Sequence, residues 1–355
     1  MNTAFAYEAL PMRVVMAPGA LDRLPAELDH AGLERVLILC SPGQRALGES
    51  VAALIGDRAA GIHAHAQMHV PTDTADAARK RAEEVDADGC VAVGGGSAIG
   101  LGKAVALRHG LPVIAVPTTY AGSEMTPVWG LTEDGVKRTG RDPRVLPVSV
   151  LYDPVLTVPL PTDVSVTSGI NAIAHAVEAL YAPDASPVIG LMAEEGVRAL
   201  AAALPDVAAD GTDLDARARA QYGAWLCGAC LGATTMSLHH KLCHTLGGTL
   251  GLPHAPTHTV VLPHALAYNQ RAAPGAVAAL GRALGTSADP ATLLWDLAGR
   301  LGAPRSLREL GMAQDDIDEV VRLALAAPYA NPREVTPEGL TRLLRDAWSG
   351  EPPAV

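Results

Sequence analysis

The sequence predicts an α/β N-terminal domain over residues 1–158 and an all-helical C-terminal domain over residues 159–355. Three features lead there. Short apolar runs alternate with helical patterns through the first half, as in a parallel sheet covered by helices. A proline cluster, Pro154, Pro159 and Pro161, then interrupts the chain. Beyond it strand signals nearly vanish and helical periodicity takes over. A chain of 355 residues also exceeds what one compact core organises. Hydrophobic residues make up 49% but aromatics only 3%, with Phe5 the single phenylalanine, so Ala, Leu and Val must fill both cores.

Residues 12–16 form the first strand-like run, and Pro18-Gly19 turns the chain into a helical pattern over 20–31. Residues 35–40 are continuously apolar, as suits a strand buried on both faces. Ser41-Pro42-Gly43 leads into a helix over 44–56, and a ragged strand follows over 61–70 with His63, His65 and His69. Thr72-Asp73-Thr74 caps a helix to about residue 86. Residues 89–93 are a strand, 97–109 a helix and 111–116 a strand. From 128 to 151 the pattern loosens into short strands and turns. The second half predicts helices over 168–181, 187–204, 213–251, 256–269, 275–284, 290–301, 306–310, 313–326 and 336–349.

The net charge of −11 argues against a nucleic-acid partner or an anionic membrane surface, which call for a basic patch. Five cysteines without disulfide-type spacing predict a reducing, cytoplasmic setting. No signal peptide and no apolar run of membrane-spanning length is expected.

The strand over 89–93 leads through Gly94-Gly95-Gly96-Ser97 into a helix. Glycines let backbone N–H groups approach a diphosphate, and a helix N-terminus adds donors and a positive dipole end. Ser97 is placed to cap the helix and touch phosphate. Ile99 stands where the third glycine of G-x-G-x-x-G belongs, so the fingerprint is a variant one, and a tight structural turn is the competing explanation. Thr118, Thr119 and Ser123 follow the next strand and emerge on the same sheet edge, with hydroxyls suited to ribose or phosphate. Ser41 ends the second strand, where an Asp would bind a ribose hydroxyl, so the choice between NADH and NADPH stays open.

Half of the twelve histidines fall within residues 239–264: His239, His240, His244, His254, His258 and His264. His240 and His244 are four apart, as are Asn171 and His175 upstream, so each pair projects from one helix face. Two such helices packed together would converge polar groups on one buried point. Cys227 and Cys230 spell C-x-x-C without a partner pair and read as buried helix positions. Lys241-Leu242-Cys243 between the histidines excludes a zincin pair. His63, His65, His69 and His109 read as ordinary satisfied histidines.

The order of these motifs, GGGS, PTTYAGSEMTP, SGINAIAHAVEALYA and HHKLCHTLGGTLGLPHAPTHTVVLPHALAYN, resembles the iron-type alcohol dehydrogenase family over nearly the whole chain, and within it most resembles the maleylacetate reductases. The resemblance implies a dinucleotide-binding N-terminal domain of dehydroquinate synthase-like architecture, a helical C-terminal domain, and an active site in the cleft between them. It implies NADH or NADPH on Ser41, Gly94 to Ser97, Thr118, Thr119 and Ser123, with Lys137 near the nicotinamide ribose. The family's metal position falls on Asn171, His175, His240 and His254, with His244 beside the nicotinamide, which makes these five the expected catalytic set. Lys241, Tyr120 and Cys243 are the expected substrate contacts, and Cys243 is a candidate thiolate. Arg138 and Arg141 are further candidate cations for the carboxylates.

Metal-using relatives carry Asp where this chain has Asn171, so the expectation is a site without a resident metal, with Fe²⁺ or Zn²⁺ as the alternative. The expected reaction is NAD(P)H-dependent reduction of the conjugated double bond of maleylacetate to 3-oxoadipate in aromatic-compound catabolism. Such a reaction develops an enolate that hydrogen-bond donors can stabilise, whereas alcohol oxidation develops an alkoxide that profits from a Lewis acid. The alternatives are a metal-dependent alcohol or aldehyde oxidoreductase and an enzyme acting on another enone or ketone. A small dicarboxylate is the expected partner, and the resemblance implies a homodimer.

Overall fold

The structure, a computed structural model, describes residues 5–133 and 136–354, with the side chains of residues 136 and 137 outside the description. The chain divides into two compact units: Leu10–Leu160, and the chain from Pro161 onward with residues 5–9.

In the first unit, β1 (Arg13–Met16) leads to α1 (Leu24–Ala31), β2 (Val36–Leu39), α2 (Arg45–Ile55), β3 (Ala59–His63), α3 (Thr72–Glu84), β4 (Gly89–Gly94), α4 (Gly96–His109) and β5 (Val113–Pro117). A two-stranded antiparallel hairpin of β6 (Val128–Glu133) and β7 (Val136–Arg141) follows, then β8 (Ser149–Tyr152). The main sheet runs β1-β8-β5-β4-β2-β3, and every neighbouring pair is parallel. Its middle strands are fully buried, which explains the unbroken apolar runs VLIL and GCVAVG. Val36, Ile38, Val91, Val93, Ile114 and Val116 build the core beneath α1 and α2. From β2 the chain moves one way to β3, then returns past β2 to β4 and on to β5. The order therefore reverses between β2 and β4, and open parallel sheets bind ligands outside the carboxyl ends of strands at such a point.

The second unit is helical among the described residues. It comprises α5 (Thr162–Ala179), α6 (Pro187–Ala209), α7 (Leu214–Ala233), α8 (Leu238–Leu250), α9 (His254–Asn269), α10 (Pro274–Leu284), α11 (Pro290–Arg300), α12 (Asp316–Leu325) and α13 (Pro337–Ser349). Helix α5 is buried on all sides from Ser165 to Ala179. Glycine lets its neighbours close in: a Cβ on Gly169 would stand 2.6 Å from Leu204 of α6, and one on Gly196 of α6 2.7 Å from Cys227 of α7. Cys227 and Cys230 are buried packing residues, as their motif context predicts, and burial pushes the Cys230 thiol up to about 12.

Several predicted elements shift. The helix expected over 213–251 is two helices, because Thr234–Ser237 breaks it and Ser237 becomes the N-cap of α8. The third strand ends at His63 rather than at residue 70. Residues 306–310 form turns. Helix α3 starts at Thr72 with Pro71 as N-cap and no side-chain cap.

Candidate active site

The carboxyl ends of β2, β4 and β5 bring three of the predicted cofactor segments to one edge. Leu39 pairs with Ala92, and Gly94 pairs with Pro117, so the residues after each strand emerge together. Gly94 has φ +143, which L side chains rarely adopt, and a Cβ there would stand 2.3 Å from Gln44 Oε1. A Cβ on Gly95 would meet Thr119 Cγ2 at 2.9 Å. Gly96 is exposed and opens α4, and a Cβ there meets nothing within 4 Å. The turn thus has two glycines demanded by the fold and one facing open space at a helix N-terminus, where an anion would sit.

Gln44, which sequence reasoning missed, ties the strand ends together: its Nε2 donates to Thr118 Oγ1 (2.8 Å), and Ser41 Oγ donates to its Oε1 (3.3 Å). Ser97 does not cap α4; Gly95 is the N-cap, without a side-chain hydrogen bond. Ser123 is engaged by the fold, since Lys103 Nζ donates to its carbonyl and lies 3.4 Å from its hydroxyl. Tyr120, expected against substrate, is fully buried. Lys137 pairs with Thr132 across the hairpin, and its side chain lies outside the described residues. Arg138 is an exposed surface ion pair with Glu133 at 3.0 Å.

The second unit assembles the predicted imidazoles from three helices. Helix α5 supplies Asn171 and His175, α8 supplies His239, His240 and His244, and α9 supplies His254 and His258. Ring centroids lie 5.2 Å apart for His175 and His240, 5.1 Å for His240 and His258, 6.0 Å for His240 and His244, and 4.2 Å for His254 and His258. His244 and His254 are exposed, whereas Asn171, His175, His239, His240 and His258 are buried. The cluster therefore runs from the surface inward.

Burial, with neighbouring histidines adding to it, holds His175, His239 and His258 well below the usual imidazole range, so these rings are neutral. Five buried atoms of the cluster lack partners: Asn171 Oδ1, His175 Nδ1, His239 Nδ1, His240 Nε2 and His258 Nε2. Lys241 sits beside this group, its Nζ 5.9 Å from the Tyr329 ring.

Glu178 was not singled out by sequence, yet it continues the Asn171–His175 stripe three residues on. It is wholly buried and accepts from the backbone N–H of Ser237 (2.8 Å) and His239 (2.7 Å) while lying 2.8 Å from His240 Nδ1. His258, four residues after His254, was likewise legible from its spacing. His239 Nε2 and His258 Nδ1 share a hydrogen bond of 3.0 Å, with Cys243 Sγ 3.8 Å from His239 Nε2. These three ligand atoms lie close enough for a metal, but the imidazoles already pair with each other and burial pushes the Cys243 thiol well up. Cys243, the candidate thiolate, packs with Leu242, Leu246 and Val261, and its burial disfavours the thiolate.

The donor set at Asn171, His175, His240 and His254 fits a resident divalent metal poorly. It offers imidazoles and a neutral amide, with no carboxylate in the position itself. Glu178 stands one step behind, engaged by two backbone N–H groups and His240.

Comparison with known proteins matches both units. The family described as iron-containing alcohol dehydrogenase covers residues 11–154, and the Fe-containing alcohol dehydrogenase family, C-terminal, covers residues 165–348. The maleylacetate reductase of Sphingobium indicum is 55% identical over 349 residues, 98% of this chain and 99% of that one. That of Pseudomonas knackmussii is 55% identical over 350 residues, 99% of each. The crystal structure of maleylacetate reductase from Agrobacterium tumefaciens superposes with a TM-score of 0.96 at 48% identity, covering 99% of this chain and 100% of that one.

Proposed function

Because the chain belongs to the iron-containing alcohol dehydrogenase family, we propose that it is an oxidoreductase that reduces the conjugated carbon–carbon double bond of maleylacetate to give 3-oxoadipate. Relatives bearing that name match it end to end at about half identity. The structural observation that carries the reading is Asn171, a neutral amide set among buried imidazoles, which makes a weak metal cradle without an anionic ligand. A reduced nicotinamide, NADH or NADPH, supplies a hydride to the carbon β to the ketone.

In this reading Gly94 to Ser97 receive the diphosphate on backbone N–H groups, and Ser41, Thr118 and Thr119 line the same edge. The imidazole cluster receives the substrate. Hydride addition leaves negative charge on the ketone oxygen as an enolate, and ring N–H groups of the cluster stabilise it. His244, exposed at the mouth, protonates the carbon α to the ketone. Lys241 pairs with a substrate carboxylate. No step uses a metal. The reading also takes the protein as a cytoplasmic homodimer.

The test is oxidation of NADH and NADPH by the purified protein with maleylacetate, with and without EDTA, alongside elemental analysis. Turnover that survives EDTA without stoichiometric metal is expected. Turnover of simple alcohols but not maleylacetate, lost on chelation and restored by Fe²⁺ or Zn²⁺, would reverse the assignment.

A further inference from the structure

Glu178 is the buried carboxylate that accepts from the Ser237 N–H, the His239 N–H and, at 2.8 Å, the ring nitrogen Nδ1 of His240. We propose that it is a positioning residue that holds a proton on His240 Nδ1 and aims Nε2 into the imidazole cluster. The contacts assign the proton. A carboxylate offers only lone pairs, and two backbone N–H groups at the start of α8 already donate to it. The third contact then requires a donor, which is Nδ1. The other ring nitrogen, Nε2, is buried, without a partner, and faces the neighbouring rings of His175 and His258.

The same two backbone contacts anchor the first turn of α8, the helix that carries His244 one turn further on. One carboxylate on α5 therefore sets both the orientation of His240 and the position of the helix bearing His244. The consequence for the reaction rests on the proposed function: with Nδ1 committed to Glu178, His240 turns only Nε2 toward the substrate pocket. Its neighbours lack this constraint, since His175 Nδ1 has no partner and the His239–His258 bond joins two imidazoles, leaving His239 Nδ1 and His258 Nε2 without one.

The test reads the tautomer directly. Long-range ¹H–¹⁵N correlation on histidine-labelled protein, with His240 assigned by loss of its signals in His240→Gln, is expected to show a protonated Nδ1. An unprotonated Nδ1 in the unaltered protein overturns the proposal, whatever the substrate proves to be. In Glu178→Gln one amide oxygen replaces two carboxylate oxygens that meet three donors, so the hold on the Nδ1 proton should weaken and the His240 signals shift. With maleylacetate, kcat is expected to fall about 10–100-fold while KM and the cofactor Kd stay within about twofold. A folded Glu178→Gln protein with the tautomer and kcat both unchanged also overturns it. If maleylacetate is not turned over at all, the proposed function fails while the tautomer result stands on its own.

Discussion

Lys103 in the first unit and Glu178 in the second are both fully buried ionisable groups, and they finish differently. Lys103 Nζ donates to the Ser123 carbonyl, Thr126 Oγ1 (2.9 Å) and the Val128 carbonyl (2.8 Å), so its three N–H bonds are met. It staples α4 to the loop before the hairpin. Glu178 is equally well satisfied, but the rings around it are not: His175 Nδ1, His240 Nε2 and His258 Nε2 stand without partners. An unmet buried polar atom costs about 1–3 kcal/mol. A fold retains several together where a visiting molecule relieves them.

That contrast can be broken by substitution. The largest expected effect is at the mouth of the cluster, where His244→Ala should lower kcat by about 10²–10⁴-fold with little change in melting temperature or cofactor Kd. Undiminished turnover would take His244 out of the reaction. Next, Lys103→Met should cost about 3–5 kcal/mol of stability in urea denaturation while the folded fraction keeps its kcat within about twofold. A result the other way round, with stability kept and kcat lost, would erase the distinction between the two centres.

A smaller effect separates the units by pH. Burial lowers the His264 imidazole to about 4, and His175, His239 and His258 shift the same way. Their folded values lie below the unfolded value of about 6.5, so the unfolded chain takes up protons first as pH drops. Their contribution is whole above about pH 6.5 and declines toward pH 4. His264 alone should cost about 2 kcal/mol by pH 5. A urea midpoint that stays flat from pH 7 to about 5 would contradict neutral burial of these rings. The smallest effect is Gly96→Ala. The open space around Gly96 predicts an unchanged or slightly raised melting temperature but about a tenfold weaker cofactor Kd. Unaltered cofactor binding would move the diphosphate off the glycine turn.

Much of this was legible in local spacing. Gly94 to Ser97 announced itself because strand, turn and helix follow one another within a few residues, and the four-residue intervals of Asn171–His175 and His240–His244 foretold shared faces. What escaped depends on partners far along the chain. Glu178 meets His240 across 62 positions, and Gln44 meets Thr118 across 74. No periodicity reports such meetings. The break between α7 and α8 was hidden for the same reason: Ser237 leaves the helix to meet Glu178, a tertiary contact that outweighs local propensity. The burial of Tyr120 and Cys243 was not legible, because spacing says which residues are neighbours but not which way a side chain turns.

One feature of the sheet bears on how the molecule is made. Strand β1 borders only β8, its ladder joining Arg13 to Ser149, a separation of 149 − 13 = 136 residues. A chain emerging from the ribosome at about 5–20 residues per second must hold that apolar segment without its ladder for about 7–27 seconds. Nascent chains halted shortly before residue 149 should therefore be far more open to protease at their beginning than chains released a few dozen residues later.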